Sequence, residues 1–147
     1  MKGILIGLML LYCMHAQAEV TVVEPWVRAT APGQKVAAAY LRMVSDKDAK
    51  LVAANSPFAD KVELHDMHVE DGIMKMRPIQ ALPLTANQPV ELKPGGLHLM
   101  LHGIKAAVQA GDTIPITLVF EDKQGKRESV ALVFNGRALT GMVPRNH

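Results

Sequence analysis

Leu97-His98-Leu99-Met100-Leu101-His102 alternates strictly between leucine and a side chain that can bind metal. Side chains on a β-strand point alternately to its two faces. The stretch therefore predicts a strand with a leucine face on a core and a His-Met-His face opposite it. Packing accounts for the leucines. The other face reads most simply as the solvated side of a sheet, where a lone histidine is usually structural. A methionine between two histidines has no packing reason to be there, so His98 and Met100 are candidate ligands, with His102 a bystander on the same face.

The same period extends outward along the chain. Extended runs fall at 20–23 continuing through 26–28, then at 36–44, 49–55, 61–69, 73–79, 89–93, 97–102, 112–121 and 127–134. Turn residues separate them, among them Ala31-Pro32-Gly33, Ser56-Pro57, Asp71-Gly72, Pro94-Gly95-Gly96 and Lys123-Gln124-Gly125. About nine short strands with few helix signals predict an all-β Greek-key barrel or sandwich. Pro115 lies inside a strand pattern and predicts an edge or a bulge. Residues 136–147 show no apolar period and read as a flexible tail.

The runs at 61–69 and 73–79 predict a hairpin around Glu70-Asp71-Gly72. His65 and Met67 share one face of the first strand, and Met74 and Met76 share one face of the second. A two-residue turn pairs Met67 with Met76, and a four-residue loop pairs His65 with Met76. Both registers place all four side chains on one face. A three-residue loop with a bulge breaks that alignment. Met67 and Met74 read equally well as core filler, a common use of methionine. Parity places His102 beside the ligands and His68 on the opposite face.

His65, Met76, His98 and Met100 are spaced His-x10-Met-x21-His-x-Met. Two imidazoles and two thioethers form a soft, uncharged donor set that suits Cu(I) and suits Zn, Mg or Ca poorly. Thioethers need no deprotonation, and only the histidines couple binding to pH. The N-terminus reads as an export signal over residues 1–18, with Lys2, an apolar run from Ile4 to Leu11, and Ala16-Gln17-Ala18 as a cleavage site. The apolar run is too short to span a membrane. Removing 18 of the 147 residues leaves 129, a single domain at 19–135 and the tail. Cys13, the single cysteine, leaves with the signal, and bulky Tyr12 before it argues against a lipid anchor. In an oxidising compartment paired thiols become disulfides, whereas thioethers persist as ligands. Without Lys2, 15 Lys and Arg face 14 Asp and Glu. No basic stripe is present, so nucleic acid is not an expected partner.

The four-ligand spacing resembles that of the periplasmic copper chaperones written PCu(A)C. Trp26-Val27-Arg28-Ala29, Asp71-Gly72-Ile73-Met74-Lys75-Met76-Arg77-Pro78 and Leu92-Lys93-Pro94-Gly95-Gly96 are similar to that family as well. The resemblance implies a cupredoxin-like fold and a monomeric, periplasmic Cu(I) carrier that is not an enzyme. It also implies delivery toward the Cu(A) site in subunit II of cytochrome c oxidase, with a Sco-type protein as co-worker. Some members bind Cu(II) in a His- and Met-rich tail. Here the tail holds only Met142 and His147, and His102 is the better auxiliary Cu(II) ligand.

Several rivals remain at this level. A blue-copper electron carrier needs a cysteine thiolate, which the processed chain lacks. A copper oxygenase built on an N-terminal histidine does not fit a chain starting at Glu19. No G-x-S-x-G or H-E-x-x-H occurs. A storage or tolerance protein would use the same site as a carrier. A non-metal β-sandwich assembly module requires the ligand spacing to be coincidence.

Overall fold

The computed structural model describes residues 18–138, and among these no helix occurs. Ten strands run in order as β1 Val20–Arg28, β2 Val36–Ser45, β3 Ala49–Asn55, β4 Lys61–Glu70, β5 Ile73–Pro78, β6 Leu82–Leu84, β7 Val90–Leu92, β8 His98–His102, β9 Thr113–Asp122 and β10 Arg127–Arg137. They follow the spatial path β5-β4-β8-β2-β1-β10-β9-β3-β6, and β7 pairs with β2. All pairs are antiparallel except β1 with β10, where Trp26 lies opposite Asn135. The path meets itself again only at the Ala54–Val62 pair between β3 and β4. One pair does not close a barrel. The sheet folds over into a sandwich-like body, which settles the barrel-or-sandwich alternative.

Alternation builds the core. On β9, Ile114, Ile116, Leu118 and Phe120 are buried, while Thr113 and Pro115 between and beside them are exposed. Leu99 and Leu101 of β8 enter the same core with Leu41, Leu51 and Phe134. Apolar side chains supply this core, so the domain is expected to fold without a metal, which circular dichroism of the metal-free protein checks.

Four local features refine the sequence reading. The tenth strand, β6, escapes a pattern search because it has three residues with Pro83 at its centre. It sits at the end of the path, where a residue without an N–H is tolerated. Pro115 pairs with Val133 on β10, beyond the last β3–β9 pair, Asn55–Thr117. It therefore lies where β9 has a free edge, and its carbonyl accepts a 2.5 Å hydrogen bond from Ser56 Oγ. β1 is one strand with a bulge between Val23 and Trp26, where Glu24 takes a positive φ of 50°.

β10 ends later than the sequence suggests. Gly136 donates to the Asp112 carbonyl at 2.7 Å and accepts from Gly111 N at 3.0 Å. A Cβ at Gly136 would collide with the Gln109 carbonyl, so only glycine fits there. The expected tail from 136 thus begins inside a strand. Residues 139–147, with Met142 and His147, lie outside the described residues, as do residues 1–17 and Cys13.

Candidate metal centre

β8 lies between β4 and β2, and the registers decide which side chains meet. His98 pairs with His65, Met100 with Glu63, and His102 with Lys61. On the other side Met100 lies opposite Ala38 and His102 opposite Val36. Directly paired residues share a face. His65, His98 and Met100 therefore stand together on the face opposite the leucines. Small Ala38 leaves room beside Met100.

The hairpin turns on Asp71 and Gly72, with φ of 53° and 75°. Two consecutive positive φ values are the two-residue turn that suits antiparallel strands. It pairs Met67 with Met76, Val69 with Met74 and His65 with Pro78. Met76 is thus the diagonal neighbour of His65, a separation of about 7–8 Å that a long side chain can span. The two-residue alternative holds, and the bulged one does not. Neither Met67 nor Met74 is core filler: Met67 is half-buried opposite Met76, and Met74 is exposed. His68 falls on the opposite face, 3.5 Å from Glu70, near the Lys75–Glu70 and Arg77–Asp66 ion pairs.

The histidine face is not solvated where it matters. His65 is 8% exposed and His98 3%. Their rings lie 5.6 Å apart, centre to centre. His98 Nδ1 is 3.0 Å from the Gly96 carbonyl oxygen. A carbonyl only accepts, so Nδ1 carries the proton and Nε2 keeps the lone pair. His65 Nε2 is 2.8 Å from Glu63 Oε2. Lys61 and His65 hold the Glu63 carboxyl down to about 2, so it is ionised and accepts only. His65 Nε2 is then protonated and Nδ1 keeps the lone pair. His98 Nε2 and His65 Nδ1 are both buried and without a hydrogen-bond partner, as is His68 Nδ1 on the opposite face; only the first two belong to histidines paired directly across neighbouring strands.

A buried nitrogen with no partner costs free energy, and native proteins rarely leave one without a purpose. Two neighbouring imidazoles, each held by a hydrogen bond at one ring nitrogen with the other left free, form the arrangement found behind metal-ligating histidines. The donor set accordingly fits a soft ion. Met100 lines a shallow depression with Arg28, Thr30, Gln34 and Val36. Met76 is 53% exposed, so the thioether side of the group faces water. The sequence reading missed Glu63. Its parity with His65 and Met67 was available, but a carboxylate has no place in a soft-ligand pattern.

Glu63→Gln is expected to release the His65 tautomer and weaken Cu(I) binding about tenfold or more. It also carries a pH signature. The folded pKa lies below the ordinary 4.5, so the ionised group adds stability above about pH 4.5 and loses it as pH falls toward about 2. Thermal unfolding at pH 7, 3 and 2 is expected to show a gap between wild type and variant that closes on acidification. A constant gap would contradict the assignment.

An all-β sandwich that carries His65, Met76, His98 and Met100 on one face of the three neighbouring strands β4, β5 and β8 defines the class of this protein. The chain belongs to the LpqE-like family, whose model, described as "Putative lipoprotein LpqE-like", matches residues 20–132. It is 33% identical over 104 residues to "Putative lipoprotein Lxx21020" of Leifsonia xyli subsp. xyli, covering 70% of this chain. It is 33% identical over 119 residues to "Uncharacterized protein RP573" of Rickettsia prowazekii, covering 77% of this chain. The match spans 63% and 66% of those two relatives' own lengths.

The solved structures it resembles bear out the likeness to PCu(A)C domains. The apo PCuAC domain of PmoF2 is 26% identical with a TM-score of 0.64, over 84% of this chain and 93% of that one. Apo-DR1885 of Deinococcus radiodurans is 31% identical with a TM-score of 0.57, over 80% and 79%. The Cu(I) form of DR1885 is 30% identical with a TM-score of 0.50, over 78% and 74%.

Proposed function

We propose that this protein is an exported Cu(I) carrier, not an enzyme, that binds copper with His65, Met76, His98 and Met100 in the periplasm. The observation that carries the reading is the pair of buried, unpartnered imidazole nitrogens on His65 and His98, with two thioethers nearby. The Cu(I) form of DR1885 supports the choice of metal. The lipoprotein names among the relatives support export.

The layout suits transfer more than burial. Copper on four neutral ligands keeps its charge, and it leaves without protonating any of them. Met76 is exposed, and so are Val69 and Met74, which pair on the same face of the hairpin. A partner docking there reaches Met76 before either histidine. A cysteine thiolate binds Cu(I) more strongly than a thioether, so ligand-by-ligand exchange begins at Met76 and needs no unfolding. The acceptor proposed is the Cu(A) site in oxidase subunit II, with a Sco-type protein assisting.

The test mixes Cu(I)-loaded protein with the apo soluble Cu(A) domain, with and without a Sco-type partner, and follows copper by NMR. Transfer within minutes is expected. Copper that stays put in every mixture, together with normal oxidase activity in a deletion strain at low copper, would point to storage or tolerance.

A further inference from the structure

A second donor cluster overlaps the first. Donor atoms of Glu63, His65 and His102 all lie within 4.8 Å of one another. Glu63 Oε2 is 2.8 Å from His65 Nε2 and 3.2 Å from His102 Nε2, and the two rings are 5.8 Å apart. An ion with bonds of about 2.1 Å in a tetrahedral shell separates its ligands by about 3.4 Å. The three atoms are therefore already near the spacing of a coordination shell. Glu63 and His65 share a face of β4, and His102 enters from β8 one pair further along.

We propose that Glu63, His65 and His102 form a second metal site, for a divalent first-row ion, that shares His65 with the Cu(I) cluster. A carboxylate with two imidazoles is a harder, negatively charged set. It suits Cu(II) and Zn(II) rather than Cu(I), and Cu(II) binds such a site most tightly among the divalent ions. Glu63 and His102 have 25% and 39% exposed side chains, so water can complete the shell.

Two features moderate its strength. The Lys61 ammonium pairs with Glu63 and must leave, which its 65% exposed side chain allows. His65 must also move its ring proton from Nε2 to Nδ1, where no partner waits. A neutral imidazole has one lone pair, so His65 serves one ion at a time. Divalent loading therefore weakens Cu(I) binding. The site itself does not rest on the Cu(I) carrier reading; only this competition does.

The experiment has two arms, each on wild type, His102→Leu and Lys61→Gln. In the first, Cu(II) titration is followed by electron paramagnetic resonance. Wild type is expected to show one Cu(II) with imidazole nitrogen coupling. His102→Leu is expected to weaken it about tenfold or more, and Lys61→Gln to tighten it by relieving charge repulsion. In the second, anaerobic Cu(I) titration is run with and without redox-inert Zn(II). Zn(II) is expected to weaken Cu(I) binding in wild type and not in His102→Leu.

Equal Cu(II) affinity in wild type and His102→Leu would overturn the site, as would no wild-type Cu(II) binding at millimolar ion. Absence of Zn(II) competition in wild type would overturn the sharing of His65. Cu(II) binding through His102 without any Cu(I) binding would refute the carrier reading and leave this site standing. Cu(I) binding by His102→Leu at wild-type affinity shows that the variant is folded.

Discussion

Replacing His98 and Met100 together by alanine is expected to abolish tight Cu(I) binding and leave the fold intact. The two project from the same face of β8, opposite Leu99 and Leu101, which anchor the strand in the core. Removing either side chain takes a donor from the cluster and nothing from the core. His98 Nε2 has no hydrogen-bond partner, so the alanine gives up one hydrogen bond, from Nδ1 to the Gly96 carbonyl, and no more. Loss of even an outer-shell partner costs a metal site about 10–100-fold in affinity, so loss of two ligands is expected to cost about a hundredfold at least. Met76→Ala and His65→Ala are expected to weaken binding clearly, and His68→Ala, on the opposite face beside Glu70, hardly at all. Anaerobic competition against a coloured Cu(I) chelator reads all of these. Equal affinity in wild type and the double variant would rule out the assigned site.

Leu99→Ala is the converse case, with a large effect on stability and a small one on the metal. Leu99 is 0% exposed and lies between the two ligand residues on β8. Truncating a fully buried leucine costs about 2–5 kcal/mol, from lost transfer energy and the cavity left behind. For a domain of this size that is a fall in Tm of about 8–20 °C. The ligands point the other way, so Cu(I) affinity measured well below the new Tm is expected to stay close to wild type. Thermal circular dichroism with the chelator assay separates the two effects. An unchanged Tm would mean that the leucine face is not the core.

These two variants also mark what the sequence alone could show. Alternation at 97–102 told the core face from the ligand face because a strand has a period of two. The same rule sent His68 away from the site and His102 toward it. The hairpin register stayed open, because Glu70-Asp71-Gly72 fits more than one loop length. Positive φ at Asp71 and Gly72 settles it in favour of the two-residue turn. β6 was hidden by Pro83, whose cost depends on whether the strand lies at an edge. Burial of His65 and His98 was illegible because sequence cannot say which elements cover the outer face. Glu63 was overlooked for a chemical reason. It enters the site as the acceptor that fixes His65, and second-layer partners have no spacing signature of their own.

The most direct test of the site is X-ray absorption on the Cu(I)-loaded protein. In the proposed site His65 and His98 supply two nitrogens, and Met76 and Met100 supply two sulfurs. The copper edge is expected to fit a first shell of about two nitrogens and two sulfurs, with nitrogen scattering that bears the imidazole multiple-scattering signature. A shell of nitrogen and oxygen alone, with no Cu–S scattering, would contradict the assignment.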